Sequence, residues 1–282
     1  MTARALTSLA WPLTWLYAPG DRPDVVAKAL TSGADVVIVD LEDAVAPDRK
    51  AYALAATTEL LSSPHPVPVH VRLPSAHDTT AIAALAPLPG LAAFRVPKVT
   101  DGTDIARIAG LAPGVALHAL LESALAVERA HALATAHPAV RGIALGEADL
   151  RADLGVRDDR GLDWSRSRVV VAARAAHLPP PPQSVHPDIR DLEGLAASCA
   201  HGRALGFLGR AAIHPRQLPV IERAYLPAPE EVEAAEEVVA AAATGAGALA
   251  LPDGRFVDAA IVAAAHRTLA LARAHRSRAH RT

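Results

Sequence analysis

Short apolar runs alternate with longer amphipathic stretches along most of the chain. Each short run is followed by residues with helical periodicity, and this alternation is typical of βαβ units. The runs lack strict polar alternation, as expected for parallel strands that are covered on both faces. In chain order, the eight runs read TWLYAP, DVVIVDL, VPVHVRL, AAFRVPKV, ALHALLES, RGIALGEA, PQSVHP and RAAIHP.

Eight such units predict an α/β fold in which the strands close into a (β/α)₈ TIM barrel. This barrel typically takes about 250 residues, and the chain has 282. The pattern alone leaves one alternative open, which is a doubly wound sheet with two free edges. We assign residues 1–225 to the barrel, the predicted catalytic domain.

The remaining residues, 226–282, predict a C-terminal extension made of a helix, a hairpin and a second helix. PEEVEAAEEVV places acids in the first turns of a strong helix former, directly after proline residues, which is typical of a helix start. The Asp253-Gly254 pair in LPDGRFVD favours a tight hairpin turn. AAIVAAAHRTLALARAH predicts a final amphipathic helix.

Composition excludes several classes of protein. A formal charge of −2 and 3% aromatic residues argue against a nucleic-acid binder, which needs a basic surface and stacking side chains. The one cysteine, Cys199, excludes an internal disulfide and fits a reducing cytoplasm. Since no apolar run reaches the length of about 18 residues that a membrane span needs, we expect a cytoplasmic protein with no membrane segment.

Charged side chains follow nearly every predicted strand. In a barrel, the carboxyl ends of the strands meet at one mouth, where catalytic residues collect. Core packing alone does not explain apolar strands that repeatedly end in charge. The titratable residues at these ends are Asp21, Arg22, Asp40, Glu42, Asp43, Arg72, Lys98, Glu122, Glu147, Asp149 and His214.

Carboxylates predominate among these residues and indicate a metal site. Without clustered cysteines or histidines they favour a hard cation, Mg²⁺ or Mn²⁺. Glu122 and Asp149 follow adjacent strands, so we predict that they bind one ion directly, while Glu42 and Asp43 hold its waters. For each acid the alternative is a helix N-cap or a surface ion pair. Asp149 is the most open to it, since EADL could simply begin a helix.

Two arginines lie at the same predicted rim. A guanidinium fork matches a carboxylate, so Arg72 beside a metal predicts an acidic substrate bound through both arms. The alternative is a buried ion pair between Arg72 and one of the acids. Arg22 follows the first strand. His214, in AIHP, is either a base or a histidine hydrogen-bonded to the rim.

Eight stretches along the chain together resemble the citrate lyase beta-subunit family, within the HpcH/HpaI aldolase group of metal-dependent acyl-CoA lyases. The resemblance extends from Trp15 to about Leu271, nearly the whole chain. It implies a (β/α)₈ barrel that assembles as a homotrimer or hexamer and works on 3-hydroxyacyl thioesters. The stretches that carry it are WLYAPGDRPDVVAKALTSGADVVIVDLEDAVAPDRK, VRLP, VPKV, LLES, GEADLRADLG, DIRDLEGL, GFLGRAAIHPRQ and DGRFVD.

The resemblance also implies roles for individual residues. It makes Glu122 and Asp149 the Mg²⁺ ligands, with Glu42 and Asp43 supporting the metal-bound waters. It places Arg72 at the oxo-acid end of the substrate.

Arg22 and Lys28 fall in the family's opening motif, where they would meet the acyl thioester or the CoA phosphates. In the CoA-lyase branch, the C-terminal segment of one subunit closes over its neighbour and supplies an aspartate. Asp258, in GRFVD, matches that aspartate.

Two positions depart from the family pattern. Pro74 stands where the family usually has an asparagine after strand three, and Gln183 stands near a usual aspartate of strand seven. Both positions are predicted to lie near the substrate, where they bear on which acid is bound.

The predicted function is a Mg²⁺-dependent carbon–carbon lyase. It would cleave or form a 3-hydroxyacyl-CoA such as malyl-, citramalyl- or citryl-CoA, with acetyl-CoA or another acyl-CoA and a 2-oxo acid as partners. Three alternatives stay open: a thioesterase on a malyl-CoA-type substrate, an aldolase on free 2-oxo acids, and a non-catalytic subunit.

Overall fold

The chain folds into two compact units: one is Pro12–Glu222, and the other contains the C-terminal residues from Arg223 onward, called here the C-terminal unit. In the computed structural model the described residues are 11–243, 249–250 and 254–279. Among them, no helix is both long and apolar enough to cross a bilayer.

The first unit contains a parallel sheet of seven strands in the order β6-β5-β4-β3-β2-β1-β7. Seven of the eight predicted runs form these strands. Neighbouring strands pair in register, so that Asp40 lies opposite Arg72 and Arg72 lies opposite Arg95. The strands are β1 (Thr14–Pro19), β2 (Val36–Asp40), β3 (Val69–Arg72), β4 (Leu91–Val96), β5 (Ala116–Leu121), β6 (Val140–Leu145) and β7 (Arg210–Ala212).

The predicted seventh strand, in PQSVHP, is reduced to a single bridge between Gln183 and Arg210. Gln183 N donates to Gly209 O at 2.9 Å. The prolines at 179–182 have no N–H to donate, so the ladder cannot extend further back. On the other side, Glu147 N donates to the Ser184 hydroxyl at 3.3 Å. This side-chain bond stands where a ladder with β6 would close a ring of eight strands.

Helices follow the strands in the predicted alternation. Several begin at a side-chain cap: Asp78, Asp101, Ser123 and Asp191 each accept a hydrogen bond from a first-turn N–H. The helices of this part of the chain are α1 (Pro23–Leu30), α2 (Lys50–Leu61), α3 (Thr79–Leu85), α4 (Gly102–Leu111), α5 (Ala124–Glu128), α6 (Ala130–Ala134), α7 (Glu147–Leu154), α8 (Asp163–Ala175), α9 (Leu192–Leu205) and α10 (Leu218–Tyr225).

One face of the sheet carries an apolar cluster that contains no helical residue. Its members are Trp15, Val36, Ile38 and Ala211, with Tyr17 and Val185 packed against them. A cluster drawn only from strands and the bridge segment lies on the face away from the helices, which we call the inner face. Because side chains alternate along a strand, Asp40 and Arg72 lie on this same face near the carboxyl ends.

The C-terminal unit contains two helices and, between them, two short strands. These elements are α11 (Pro229–Ala242), β8 (Leu249–Ala250), β9 (Phe256–Val257) and α12 (Ala259–Ala279). The two short strands pair antiparallel. Val257 packs into a small core with Ala235, Val238, Ala265 and Leu269. Asp253 of the predicted turn lies outside the described residues.

Candidate active site

Carboxylates and cations gather at the carboxyl ends of β2 to β6. Glu42 and Glu122 are each only 4% exposed. Asp43, by contrast, is an exposed residue, and Asp149 is half-buried. Arg72, at the end of β3, lies among them.

Asp40 grips Arg72 through both carboxylate oxygens. Arg72 Nε donates to Asp40 Oδ1 at 2.7 Å, and Nη2 donates to Oδ2 at 2.6 Å. The same carboxylate also accepts from the backbone N–H groups of Glu42 and Ala44, at 2.9 and 3.2 Å. Asp40 therefore shapes the turn after β2 and fixes the arginine in a buried fork. Although burial disfavours its charge, these bonds raise the pKa of Arg72 above its ordinary range.

The remaining arm of Arg72 faces two other acids. Nη1 lies 2.9 Å from Glu42 Oε2, an ion pair without the geometry of a hydrogen bond, and 3.4 Å from Asp43 Oδ2. A guanidinium has five N–H donors. With two of them held by Asp40, only Nη1 and the second hydrogen of Nη2 can meet a substrate oxygen. The fork on Asp40 thus leaves the Nη1–Nη2 end of the guanidinium for the predicted two-armed contact with a substrate carboxylate, which stays a prediction.

Lys98 links the two buried glutamates. Its ammonium lies 2.9 Å from Glu42 Oε1 and 3.7 Å from Asp43 Oδ1, while its backbone N–H donates to Glu122 Oε2 at 3.1 Å. The residue has a φ of 54°, in the left-handed region that costs a non-glycine residue about 1 kcal/mol or more. The hydrogen bond to Glu42 raises the pKa of Lys98, so the ammonium stays charged.

Glu122 is the buried carboxylate whose charge is least compensated. Burial, followed by repulsion from Glu42 and Asp149, raises its pKa to about 8. Its side chain lies against Gly146, where an added Cβ would stand 2.4 Å from Glu122 Cγ. A cation bound beside this carboxylate would stabilise its charged form.

Asp149 lies in the first turn of α7 but does not cap the helix, because the N-cap is Gly146. Its charge acts on both Glu122 and Lys98. In the described part of the chain, no three carboxylate, histidine or cysteine side chains converge on one point. The arrangement thus offers two protein ligands at most, which is the number that Mg²⁺ usually takes.

Glu147, another acid after β6, is bound to a buried arginine, Arg166. Both of its oxygens accept from Arg166, Oε1 from Nε at 3.0 Å and Oε2 from Nη2 at 2.7 Å. Arg166 is buried and also pairs with Asp159 and Asp163, at 2.7 and 3.1 Å. This network ties the start of α7 to α8, and it uses Glu147 for structure.

The other basic residues of the predicted rim lie apart from the carboxylates. Arg22 is exposed at the N-cap of α1. Lys28 lies in the last turn of the same helix, about 9 Å further along its axis, and pairs weakly with Asp24 at 3.9 Å. His214 caps a short 3₁₀ helix, where its Nδ1 accepts from Arg216 N at 3.1 Å. The structure favours the bonded interpretation of His214 over a base.

Of the two departures from the family pattern, Gln183 lies at the predicted seventh strand but its side chain turns away from the inner face. The Gln183 side chain turns to α9, where Nε2 donates to Ser198 O at 3.1 Å and Gly202 leaves it room. The prediction that Gln183 borders the substrate is therefore wrong, because its side chain lies on the helix-covered face. Pro74 follows Arg72 by two residues and brings no N–H or amide group to the mouth.

Asp258 lies in the C-terminal unit, where it caps α12. Its Oδ1 accepts from the backbone N–H groups of Ala260 and Ile261, both at 2.9 Å. The predicted role of Asp258 in a neighbouring subunit stays a prediction.

Three residues at the mouth received no role from the sequence: Asp40, Lys98 and Tyr17. The Tyr17 ring lies 5.3 Å from the Arg72 guanidinium carbon. Asp40 and Lys98 lie at strand ends like the other acids and bases, and this position is the sequence feature that indicates a place in the site. Their roles follow from register, since Asp40 lies directly opposite Arg72.

Comparison with known proteins agrees with this arrangement. The profile of the HpcH/HpaI aldolase/citrate lyase family matches residues 13–215. The chain is 34% identical to a (3S)-malyl-CoA thioesterase of Cereibacter sphaeroides, over 92% of this chain and 94% of that protein. It is also 34% identical to a citrate lyase subunit beta-like protein of Mycobacterium tuberculosis, over 88% and 91%.

A solved structure from M. tuberculosis is similar over nearly its whole length. It is the protein CitE in complex with magnesium, acetoacetate and coenzyme A, which is 32% identical with a TM-score of 0.80. The match covers 94% of this chain and 99% of that one.

Proposed function

Because the chain belongs to the HpcH/HpaI aldolase/citrate lyase family, we propose that it is a Mg²⁺-dependent carbon–carbon lyase for 3-hydroxyacyl-CoA thioesters. The observation that carries the proposal is the buried Glu122, whose ionisation Glu42 and Asp149 oppose. The similar CitE structure holds magnesium, an oxo acid and coenzyme A together.

The residues present suit a hard cation. Glu122 and Asp149 would hold Mg²⁺, and Mn²⁺ could replace it since both prefer oxygen ligands. Glu42 Oε2 is buried without a hydrogen-bond partner, so it can accept from a metal-bound water, as can the exposed Asp43. Bound there, the ion would supply Lewis-acid stabilisation of negative charge on the substrate oxygen at the bond that breaks.

The side chains divide the remaining work. In cleavage, the 3-hydroxyl would give its proton to solvent water at the mouth, beside the exposed Asp43. The adjacent carbon–carbon bond then breaks and its electron pair passes to the acyl-CoA fragment, leaving a 2-oxo acid and the enolate of an acyl-CoA. Arg72 would donate from Nη1 and the second Nη2 hydrogen to the oxo-acid oxygens. Asp258 of a neighbouring subunit would give a proton to the enolate carbon as general acid, and take one from the thioester methyl in the reverse direction.

The same proposal extends to assembly and CoA binding. The seven strands and the Gln183 bridge would form one (β/α)₈ ring, and the C-terminal extension would cap the neighbouring subunit of a homotrimer or hexamer. Arg22 and Lys28 are exposed, so they suit the phosphates of CoA better than the reacting end of the substrate.

A second candidate is a thioesterase on a malyl-CoA-type substrate. The (3S)-malyl-CoA thioesterase named above is 34% identical over nearly the whole chain, and this is the observation that favours it. Hydrolysis would break the thioester and leave the 3-hydroxy acid intact.

Products distinguish the two functions. The purified chain is incubated with Mg²⁺ and malyl-, citramalyl-, citryl- or hydroxymethylglutaryl-CoA, and products are identified by mass spectrometry. A lyase gives acyl-CoA and an oxo acid, whereas a thioesterase gives free CoA and the unchanged hydroxy acid. Glu122→Gln serves as the inactive control. No product from any CoA ester, with turnover of a free 2-oxo acid or none at all, would contradict both.

A further inference from the structure

Beside the carboxylates, the inner face carries a second cluster made only of basic and neutral groups. His70 lies on β3, Arg95 on β4 and His118 on β5. Arg95 lies opposite His118 in the ladder, and the two imidazole rings are 4.9 Å apart. Arg95 also lies close enough to Tyr17 for each to shift the pKa of the other.

Arg95 is a buried cation without a counter-ion. It is only 2% exposed, and Nε and Nη2 have no hydrogen-bond partner. Across the described residues, no carboxylate forms an ion pair with it. The neighbouring Arg72, by contrast, is paired with Asp40. Buried charges are nearly always paired, and a buried N–H without a partner is rare enough to need an explanation.

The neighbours of Arg95 do not supply that charge. Burial lowers the pKa of His70, and burial with the nearby Arg95 lowers the pKa of His118 to about 3, so both rings are neutral. Burial raises the pKa of Tyr17, so its phenol keeps its proton. His70 Nδ1 is likewise buried without a hydrogen-bond partner. In the tautomer with a proton on Nδ1 it is one more donor.

We infer that Arg95 and His70, next to His118, form a binding site for a small anion on the inner face of the sheet. Arg95 Nε and Nη2 and His70 Nδ1 donate to it, and the guanidinium neutralises it. A halide or a small carboxylate such as formate has this chemistry, whereas a water would fill the donors but leave the charge unpaired. Tyr17 and His118 are half-buried, so the cluster is not fully closed off from solvent. Arg95 is the ladder neighbour of Arg72, but His70, Arg95 and His118 have no role in the proposed lyase chemistry. Anion binding is therefore measured without substrate or Mg²⁺.

Thermal unfolding of the full chain tests the site. Melting is compared in sodium bromide, sodium formate and sodium gluconate at equal ionic strength, since gluconate is too bulky to enter. At a saturating concentration we expect bromide or formate to raise the wild-type Tm by about 5 °C over gluconate. Arg95→Met should lose this rise, while Arg141→Met, at an exposed position of β6, should keep it. A rise with formate alone assigns the site to carboxylates, and a rise with bromide alone to halides.

A crystal grown in bromide gives an independent measurement on the unaltered chain. Anomalous density in contact with Arg95 Nε or Nη2 supports the site even if Arg95→Met does not fold. Ordered water alone at these atoms, together with equal Tm values in all three salts, would overturn it. So would an ionised Tyr17 in the native protein at neutral pH, detected by ultraviolet absorption.

Discussion

At the scale of single residues, three buried acids of the mouth differ because their partners differ. The charge of Asp40 is neutralised by Arg72, which donates to it from Nε and Nη2. Glu42 lies between Lys98 and Arg72. Glu122 accepts one backbone N–H, and within the described ranges it forms no ion pair, although the more distant charge of Arg72 partly offsets its own. The acid that the chain leaves least compensated is the one best suited to bind a metal.

The protonation of Glu122 predicts how the metal-free protein responds to pH. Its pKa rises from 4.5 to about 8 on folding, so the unfolded chain releases this proton at lower pH than the folded one. The contribution of Glu122 to the free energy of unfolding is therefore largest below about pH 4.5 and is lost as pH rises to about 8. Urea unfolding with a chelator at several pH values measures it.

The matched control for this experiment is Glu122→Gln, which cannot ionise. Its stability should lose the decline between pH 5 and 8 that we expect of the wild type, and added Mg²⁺ at pH 8 should stabilise only the wild type. Identical pH profiles for the two proteins would show that folding does not raise the pKa of Glu122.

The sequence predicted these acids correctly as neighbours because the ends of parallel strands meet. It could not show which acid holds Arg72, since that depends on register and on the angle of one guanidinium. The alternative of a buried ion pair for Arg72 was open from the sequence, and the structure has it with Asp40.

At the scale of elements, seven of the eight strands predicted from apolar runs form, because a buried parallel strand needs a continuous run of apolar residues. PQSVHP failed to form a strand because the prolines at 179–182 remove backbone donors. The direction of the Gln183 side chain follows from packing against Gly202, a contact between distant residues that local pattern does not encode.

The turn from β6 to α7 predicts a test of metal-site geometry. Gly146→Ala would place a Cβ against Glu122 Cγ, 2.4 Å away, and push the carboxylate off its position. We expect Mg²⁺ affinity to fall by about 10-fold or more, measured by calorimetry. Gly110→Ala, in α4 with nothing within 4 Å of the added carbon, should leave affinity unchanged. Equal affinities in both variants would contradict the close contact.

The link between α7 and α8 predicts a stability effect. Arg166→Met removes one partner each from Asp159 and Asp163, which keep Arg151 and His201, and it leaves the largely buried carboxylate of Glu147 without its arginine. We expect the free energy of unfolding to fall by about 3–5 kcal/mol, measured by urea denaturation. Arg168→Met, which loses one bond to the carbonyl of Glu128, should change it by less than about 1 kcal/mol. If Arg166→Met lowers the free energy of unfolding by no more than Arg168→Met does, the ion pairs of Arg166 are exposed to solvent and this prediction is wrong.

At the scale of the whole molecule, the chain separates a unit that holds the carboxylates from a C-terminal unit that holds Asp258. The sequence predicted the alternation of strands and helices in the first of these units. The proposed use of Asp258 depends on a second copy of the chain, and no pattern within one copy specifies where that neighbour would lie.

Asp258→Asn tests this division of labour. Asparagine is as good a cap as aspartate, so α12 should remain folded. We expect the carbon–carbon step to slow by about 10²–10⁴-fold, as for the loss of a general acid or base, with Mg²⁺ affinity unchanged. Asp78→Asn, at the cap of α3, is the matched control and should retain full turnover. Wild-type turnover in Asp258→Asn would remove Asp258 from the mechanism.

The most direct test of the account is a calorimetric titration of the metal-free protein with Mg²⁺. We predict a single ion per chain, with binding abolished in both Glu122→Gln and Asp149→Asn and unchanged in Asp24→Asn, an exposed acid of α1. Undiminished Mg²⁺ affinity in either of the first two variants would contradict the account.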